Sequence, residues 1–269
     1  CEGDQIEKYL IPCIRAEKRE LFALTEPEAG SDIMSMKTNA RRDGEDWILN
    51  GSKHFISGPV MPDFAIVFAV TGMNETERAS RKRITAFLVD VGTEGFDISE
   101  GTRSVSYRGY LTFQLGFSDA RLGPGQILGE EGRGLELSGK WLSMNRVWVG
   151  ASCCGKAERL LNLSAEWAAT RKQFGQPIGK FQATGFKLAD MAVELKAADL
   201  LVMDAVAKGD KGKMSDADAA MVKLFCSEML NRTADHTVQI YGGMGLMEEM
   251  PIQRLWRDSR LERIWDGTS

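Results

Sequence analysis

No stretch of this chain stays apolar for the length needed to span a bilayer, so the sequence predicts no membrane segment. Histidine is scarce: His54 and His236 are the only two, far apart, with no Cys or His beside either. That spacing excludes a clustered zinc site, and no metal is expected. Positive charge is not in excess either. Lys and Arg number 34 against 38 Asp and Glu, a net charge of -4, which argues against a general nucleic-acid-binding surface. The five cysteines, Cys1, Cys13, Cys153, Cys154 and Cys226, are odd in number and scattered. They point to reduced thiols in a reducing compartment rather than a disulfide framework. What the chain does have is a hydrophobic content of 43% over 269 residues, enough for one large or two modest packed domains. It opens without Met and closes on Gly267-Thr268-Ser269, so both ends read as abrupt.

Residues 2–20 are expected to form a short amphipathic helix, with Ile6 and Leu10 on one face and Pro12 near its end. From Leu21 to Leu128 the signals are β. Leu21-Phe22-Ala23-Leu24 is a short apolar strand that Pro27 forbids from continuing. Trp47-Ile48-Leu49 and Lys53-His54-Phe55-Ile56 flank Asn50-Gly51, which predicts a hairpin turn. Phe64–Val70 and Ile84–Val89 read as buried strands, with Thr71–Arg83 a solvated loop between them. Tyr110–Phe117 alternates apolar and polar with period two, as a half-buried strand does. Strands of this kind suggest a small barrel or sandwich. The glycine run Gly129–Gly134 lacks the order of a phosphate loop and reads as a hinge.

The remainder is helical. Trp141, Met144, Trp148, Ala151, Cys154 and Ala157 follow three-to-four spacing, and such a stripe is expected to face a core. Phe181–Lys208 is a second long helix, with Leu188, Met191, Leu195 and Val202 apolar. Ser215 caps a third over Asp216–Tyr241, with Asp218 as the reciprocal capping residue. Pro251 starts a fourth, carrying Ile252, Leu255 and Trp256. Long helices with short links make an antiparallel four-helix bundle. The fold class is therefore α+β, a small β-barrel or sandwich followed by a helical bundle. The expected domains are residues 21–128 and 129–269, preceded by the helical segment of residues 1–20.

Chemistry concentrates first at Thr25-Glu26-Pro27-Glu28-Ala29-Gly30-Ser31-Asp32. Gly30-Ser31 allows close backbone approach and offers donors, suited to a phosphate or flavin edge; an ordinary strand-to-loop exit has the same local composition. The stretch resembles the flavin loop of the acyl-CoA dehydrogenases. Gly51–Ser57, Arg171–Phe181, Gln239–Gly245 and Arg260–Thr268 resemble further parts of that family, in the same order.

The resemblance implies FAD as cofactor and an acyl-CoA thioester as substrate. It implies α,β-desaturation, with loss of an α-proton to a base and of a β-hydride to the flavin. Asp266 falls where many family members carry a catalytic glutamate, one methylene longer. The alternative helix position for a base is Asn145 here, which cannot take a proton. Arg146 resembles a buried arginine beside the base, where its charge would lower the Asp266 pKa. Phe22, Leu24, Thr25, Ser31, Phe55 and Ser57 are the implied flavin contacts, with Thr268 closing the site. Arg171, Phe174, Gln182, Gln239, Gly242 and Gly243 match residues that reach the adenosine diphosphate part from a second copy. Ser31, Ser143, Arg146 and Gly267 are the implied substrate contacts, with Ser143 standing where the family has an aspartate.

A homotetramer, as a dimer of dimers, and electron-transfer flavoprotein as acceptor are implied in turn. So is a cytoplasmic location in a bacterium, or the mitochondrial matrix in a eukaryote. Two alternatives stay open at this point, an acyl-CoA oxidase using oxygen and a low-activity flavin-binding relative recruited for binding or stress response; Asn50-Gly51 and the β stretch argue against a third, a purely helical interaction module.

Overall fold

A computed structural model describes residues 1–76 and 79–269. The chain divides into two compact units: residues 1–104 with 108–139, and residues 105–107 with 140–269.

In the first unit a turn of π-helix, Ile6–Leu10, leads into α1, Ile11–Ile14. Tyr9 is the residue buried here, while Ile6 and Leu10 are exposed. The wider π-turn rotates the inward face away from the positions that an α-helical period selects. The strands are β1 Glu20–Ala23, β2 Asn39–Asp43, β3 Asp46–Gly58, β4 Phe64–Thr76, β5 Ala79–Asp90, β6 Phe96–Glu100, β7 Leu111–Leu122 and β8 Ile127–Leu128. They form one mixed sheet in the order β6-β7-β3-β2-β4-β5-β8, with β1 parallel to β4. Leu21, Trp47, Leu49, Val67, Phe87, Phe113, Leu115 and Leu122 share its main core. The period-two reading of Tyr110–Phe117 holds: Phe113, Leu115 and Phe117 are buried and Gln114 is exposed.

Two expectations are corrected. Asn50-Gly51 is not a hairpin turn but lies inside the continuous strand β3, at a register shift against β7. The β2–β3 hairpin turns at Gly44-Glu45, between paired Asp43 and Asp46, with Gly44 at φ +65°. Gly51 is required for another reason: at φ +136° a Cβ there would lie 2.6 Å from the Thr38 Cα. Asn50 fixes the bulge by exchanging two hydrogen bonds with Asp119, at 3.0 and 2.9 Å. A bulge and a turn use the same residue types, and only the partner strand separates them. Thr71–Arg83 is likewise not a loop. Gly72–Thr76 pairs with Ala79–Arg83 as an extension of the β4–β5 ladder, because main-chain pairing does not need apolar side chains. Residues 77 and 78 of that stretch lie outside the described residues.

The second unit is built on α2 Gly134–Thr170, whose first residues belong to the first unit, then α3 Gln182–Gly209, α4 Asp216–Tyr241 and α5 Pro251–Glu262. Between α2 and α3, β9 Lys172–Gln173 and β10 Gln176–Pro177 make a small hairpin. The capping box forms as expected: Ser215 Oγ accepts from the Asp218 N–H at 3.1 Å, and Asp218 accepts from the Ser215 N–H at 2.9 Å. Val147, Cys153, Ala157, Leu160, Leu195, Val202, Val222, Cys226 and Leu230 share one core.

The α2 stripe is only half right. Cys154 and Ala157 are buried, but Trp141, Met144 and Trp148 are 44%, 65% and 59% exposed. Apolar residues run around much of this helix, so spacing alone picked a face next to the packed one. No helix is long and apolar enough to cross a membrane among the described residues.

Replacing Gly51 with Ala should cost about 1–3 kcal/mol in urea unfolding, from strained backbone and the Thr38 clash. Gly109→Ala, where a Cβ meets nothing within 4 Å, should stay within about 0.5 kcal/mol.

Candidate active site

In the first unit the Thr25–Asp32 loop is organised by a residue pair that sequence reasoning passed over. Glu26 is buried and accepts from Lys53 Nζ at 2.9 Å, from the Lys37 N–H at 2.7 Å and from the Thr38 N–H at 3.0 Å. Lys53, equally buried, also donates to the Leu24 carbonyl at 3.0 Å. Burial pushes the Glu26 carboxyl up, but the Lys37 N–H, the Lys53 ammonium and Thr38 outweigh it and hold the group below its ordinary value. The His54 N–H donates to the Thr25 carbonyl at 3.0 Å. The loop is therefore tied to β3 at Leu24, Thr25 and Glu26.

Phe22 and Leu24 pack partly buried against Phe68, Met36 and Ile84. Thr25 is half-buried, while Ser31 is exposed and a Cβ on Gly30 would meet nothing within 4 Å. On β3 the register shifts a second time between Lys53 and Ile56. At that bulge Phe55 sits at φ +55° and is 61% exposed, and Ser57, two residues on, is exposed as well. A bulky residue held left-handed with its ring in solvent is a strained arrangement of the kind that collects at ligand sites.

The second unit holds the acid–base candidates. Asp266 and Gly267 form a left-handed corner after α5, with φ +52° and +92°. Two cations hold their consecutive carbonyls: Arg146 Nε donates to the Asp266 oxygen at 3.0 Å and Lys223 Nζ to the Gly267 oxygen at 2.5 Å. A Cβ on Gly267 would come within 3.2 Å of the Arg146 guanidinium, and its φ of +92° is one that other residues adopt only with strain.

Just upstream, the carboxylate of Glu262 is completely buried. It accepts from the Tyr107 hydroxyl, from Lys156 Nζ, and from Trp265 Nε1 at 2.7 Å. The Tyr107 ring lies 5.1 Å from that of Trp265. Burial pushes the Asp266 carboxyl above its ordinary value. A hydrogen bond from Asn145 and the charges of Lys223 and Arg146 oppose this, while Glu262 adds to it. The expected lowering by Arg146 is real but smaller than the cost of desolvation.

Ser143 is buried and donates to Asp216 at 2.6 Å, at the first turn of α4. Arg171 lies 6.0 Å from the Trp167 ring, at the start of the β9–β10 hairpin. In that hairpin Phe174 and Gly175 both take positive φ and Phe174 is 94% exposed. Gln182 opens α3 and is exposed. Gln239 is exposed in the last turn of α4, followed by Gly242 and Gly243, where a Cβ would meet nothing within 4 Å. Thr268 is exposed at the chain end.

Two family patterns match this sequence: "Acyl-CoA dehydrogenase, middle domain" over residues 21–120 and "Acyl-CoA dehydrogenase, C-terminal domain" over residues 132–269. The chain belongs to the acyl-CoA dehydrogenase family. Acyl-CoA dehydrogenases are oxidoreductases, and this chain is an enzyme of that class. Among its relatives is the 3-(aryl)acrylate reductase of Clostridium sporogenes, 41% identical over 266 residues, which are 99% of this chain and 70% of that one. The caffeyl-CoA reductase-Etf complex subunit CarC of Acetobacterium woodii is 38% identical, covering 99% of this chain and 69% of its own length. Among solved structures, butyryl-CoA dehydrogenase from Megasphaera elsdenii superposes with a TM-score of 0.91 at 37% identity, covering 98% of this chain and 68% of that one.

Removing the Glu26 charge tests the loop anchor. Glu26→Gln leaves a buried ammonium without its counter-charge, and urea unfolding should register a loss of about 3–5 kcal/mol. Adding Lys53→Met should recover most of it.

Proposed function

We propose that this acyl-CoA dehydrogenase desaturates an acyl-CoA thioester between Cα and Cβ, with Asp266 as the base that takes the α-proton. The observation that carries the reading is the Asp266–Gly267 corner: a partly buried carboxyl on a turn whose two carbonyls are each held by a cation. A base works best when its pKa lies near the operating pH, and burial moves this aspartate in that direction. Asn145 orients the carboxylate by a hydrogen bond. Aspartate is shorter than the family's glutamate, so the fixed corner has to supply the reach that the side chain lacks.

The residues fit FAD. Exposed, left-handed Phe55 with Ser57 on the same strand offers a ring face and a hydroxyl, and the open backbone at Gly30 lets an extended group lie close. Thr25 and Ser31 supply further donors. Arg171, exposed Phe174, Gln182, Gln239 and the unobstructed Gly242-Gly243 would hold the adenosine diphosphate part of a cofactor shared with a second copy. The exposed apolar residues Met144 and Trp148 on α2 and Phe186 on α3 support such assembly, as a dimer of dimers. When bound, FAD supplies the acceptor for the β-hydrogen. Electron-transfer flavoprotein is the proposed onward acceptor, supported by the similarity to a subunit of an Etf complex.

A second reading has the same site running in reverse, reducing an aryl-substituted acrylate or its thioester, as the names of two relatives suggest. In that direction Asp266, whose carboxyl burial shifts above its ordinary value, delivers the α-proton.

The test is anaerobic titration of the FAD-loaded enzyme with a panel of saturated and aryl acyl-CoAs, following flavin bleaching. Bleaching by at least one thioester is expected, and no response to any of them contradicts the reading. Asp266→Asn should keep FAD and thioester binding and slow flavin reduction by about 10²–10⁴-fold. Because only the deprotonated carboxyl accepts a proton, reduction should fall as pH drops through a midpoint above the usual aspartate value. Fast reduction in the variant puts the base elsewhere.

A further inference from the structure

We propose that Lys223 is a positioning residue for the proton-abstracting corner, its buried ammonium clamping the Gly267 carbonyl and standing as counter-charge to the Asp266 carboxylate. The inference rests on the reading of Asp266 as the base. Lys223 comes from the N-terminal part of α4 and is only 4% exposed, so its long side chain is committed inward. A buried ammonium is costly unless it is satisfied, yet its hydrogen bond goes to a main-chain carbonyl and not to a carboxylate. That carbonyl follows the one held by Arg146.

Two cations on successive oxygens hold the peptide planes on either side of Gly267, and the first of these is also the plane that leaves the Asp266 Cα, so the corner that carries the Asp266 side chain is anchored on its C-terminal side. Charged and polar groups face the corner from three helices, with Lys156 and Tyr107 in turn on Glu262. Helix α2 brings Asn145, Arg146 and the Cys153 thiol, α4 brings Lys223, and the end of α5 brings Glu262. Lys223 and Arg146 favour the ionised base, and Glu262 opposes it. Burial in turn pulls the Lys223 ammonium down, with Asp266 the leading charge that holds it protonated.

The test uses the FAD-loaded enzyme. Lys223→Met keeps length and apolar packing but removes both donor and charge. Flavin reduction should slow by about tenfold or more with KM little changed, since displacement of a reacting group is paid in rate. The acid limb of the pH profile should move up by about one unit. Lys223→Gln keeps a donor without the charge, and should recover rate while leaving the limb displaced. Lys223→Arg should restore both.

A folded, FAD-loaded Lys223→Met enzyme with wild-type rate and limb overturns the proposal. Should that variant not fold, an unmoved acid limb in Lys223→Gln overturns it equally. The ¹³C titration of the Asp266 carboxyl separates this outcome from failure of the base assignment. That titration should shift upward in the same variants whether or not Asp266 is the base, and an unshifted curve removes the counter-charge role. Wild-type reduction by Asp266→Asn removes only the base.

Discussion

The buried carboxylate of Glu262 sets the terms for everything after α5. With no exposure to water, it has to be satisfied from inside, and three donors converge on it: Tyr107 and Lys156 from distant points of the chain, and Trp265 from three residues on. Removing Lys156 from this cluster leaves an uncompensated buried charge, at a cost of about 3–5 kcal/mol. Trp265 is one of those partners and is also the residue before Asp266. The requirement to satisfy Glu262 therefore fixes where the chain leaves α5 and enters the left-handed corner. Further ties run alongside: Arg263 pairs with Glu228 at 2.7 Å, and Asn231 donates to the Ser259 carbonyl at 2.6 Å. The backbone on both sides of the Asp266 corner is thus tied down by side-chain contacts, as the proposed role of a short carboxylate there requires.

The first unit solves a similar problem with the same device. A loop carrying Thr25, Gly30 and Ser31 would be free to move if its main chain faced only water. Glu26 turns inward, meets Lys53, and gathers the Lys37 and Thr38 N–H groups around it. In both units one buried carboxylate with a lysine partner organises irregular backbone next to candidate site residues. Irregular backbone inside a protein must have its polar groups answered, and an ionised carboxylate accepts several donors at once.

Much of this was legible beforehand. Ser215 and Asp218 announced the start of α4, Pro251 the start of α5, and the alternation from Leu111 to Phe117 named its buried members, because each depends on neighbours in sequence. The motif stretches identified Asp266, Arg146 and Phe55 as residues of interest. What stayed hidden depended on partners far away. Asn50-Gly51 carries hairpin chemistry, and only its pairing with β7 and the nearness of Thr38 make it a bulge. The Trp141, Met144 and Trp148 stripe obeys helical spacing yet points outward, since Val147, Cys153 and Leu160 already fill the core. Glu262 left a readable trace: it lies ten residues after Ile252 and three after Ser259, on the buried face of α5. A glutamate on that face has to be paired. Lys53 gave no such signal, since Ser52 and His54 flank it and nothing in that stretch marks it as buried.

Proton removal and redox chemistry can be separated experimentally, and the separation addresses the Asp266 corner most directly. A thioester with α-hydrogens but no β-hydrogen, such as 3,3-dimethylbutyryl-CoA, cannot be oxidised but can still exchange its α-protons. Incubated in D₂O with the FAD-loaded enzyme, it should gain deuterium at Cα, and the gain should vanish in Asp266→Asn. Undiminished exchange in that variant would contradict the assignment of Asp266 as the group that moves the α-proton.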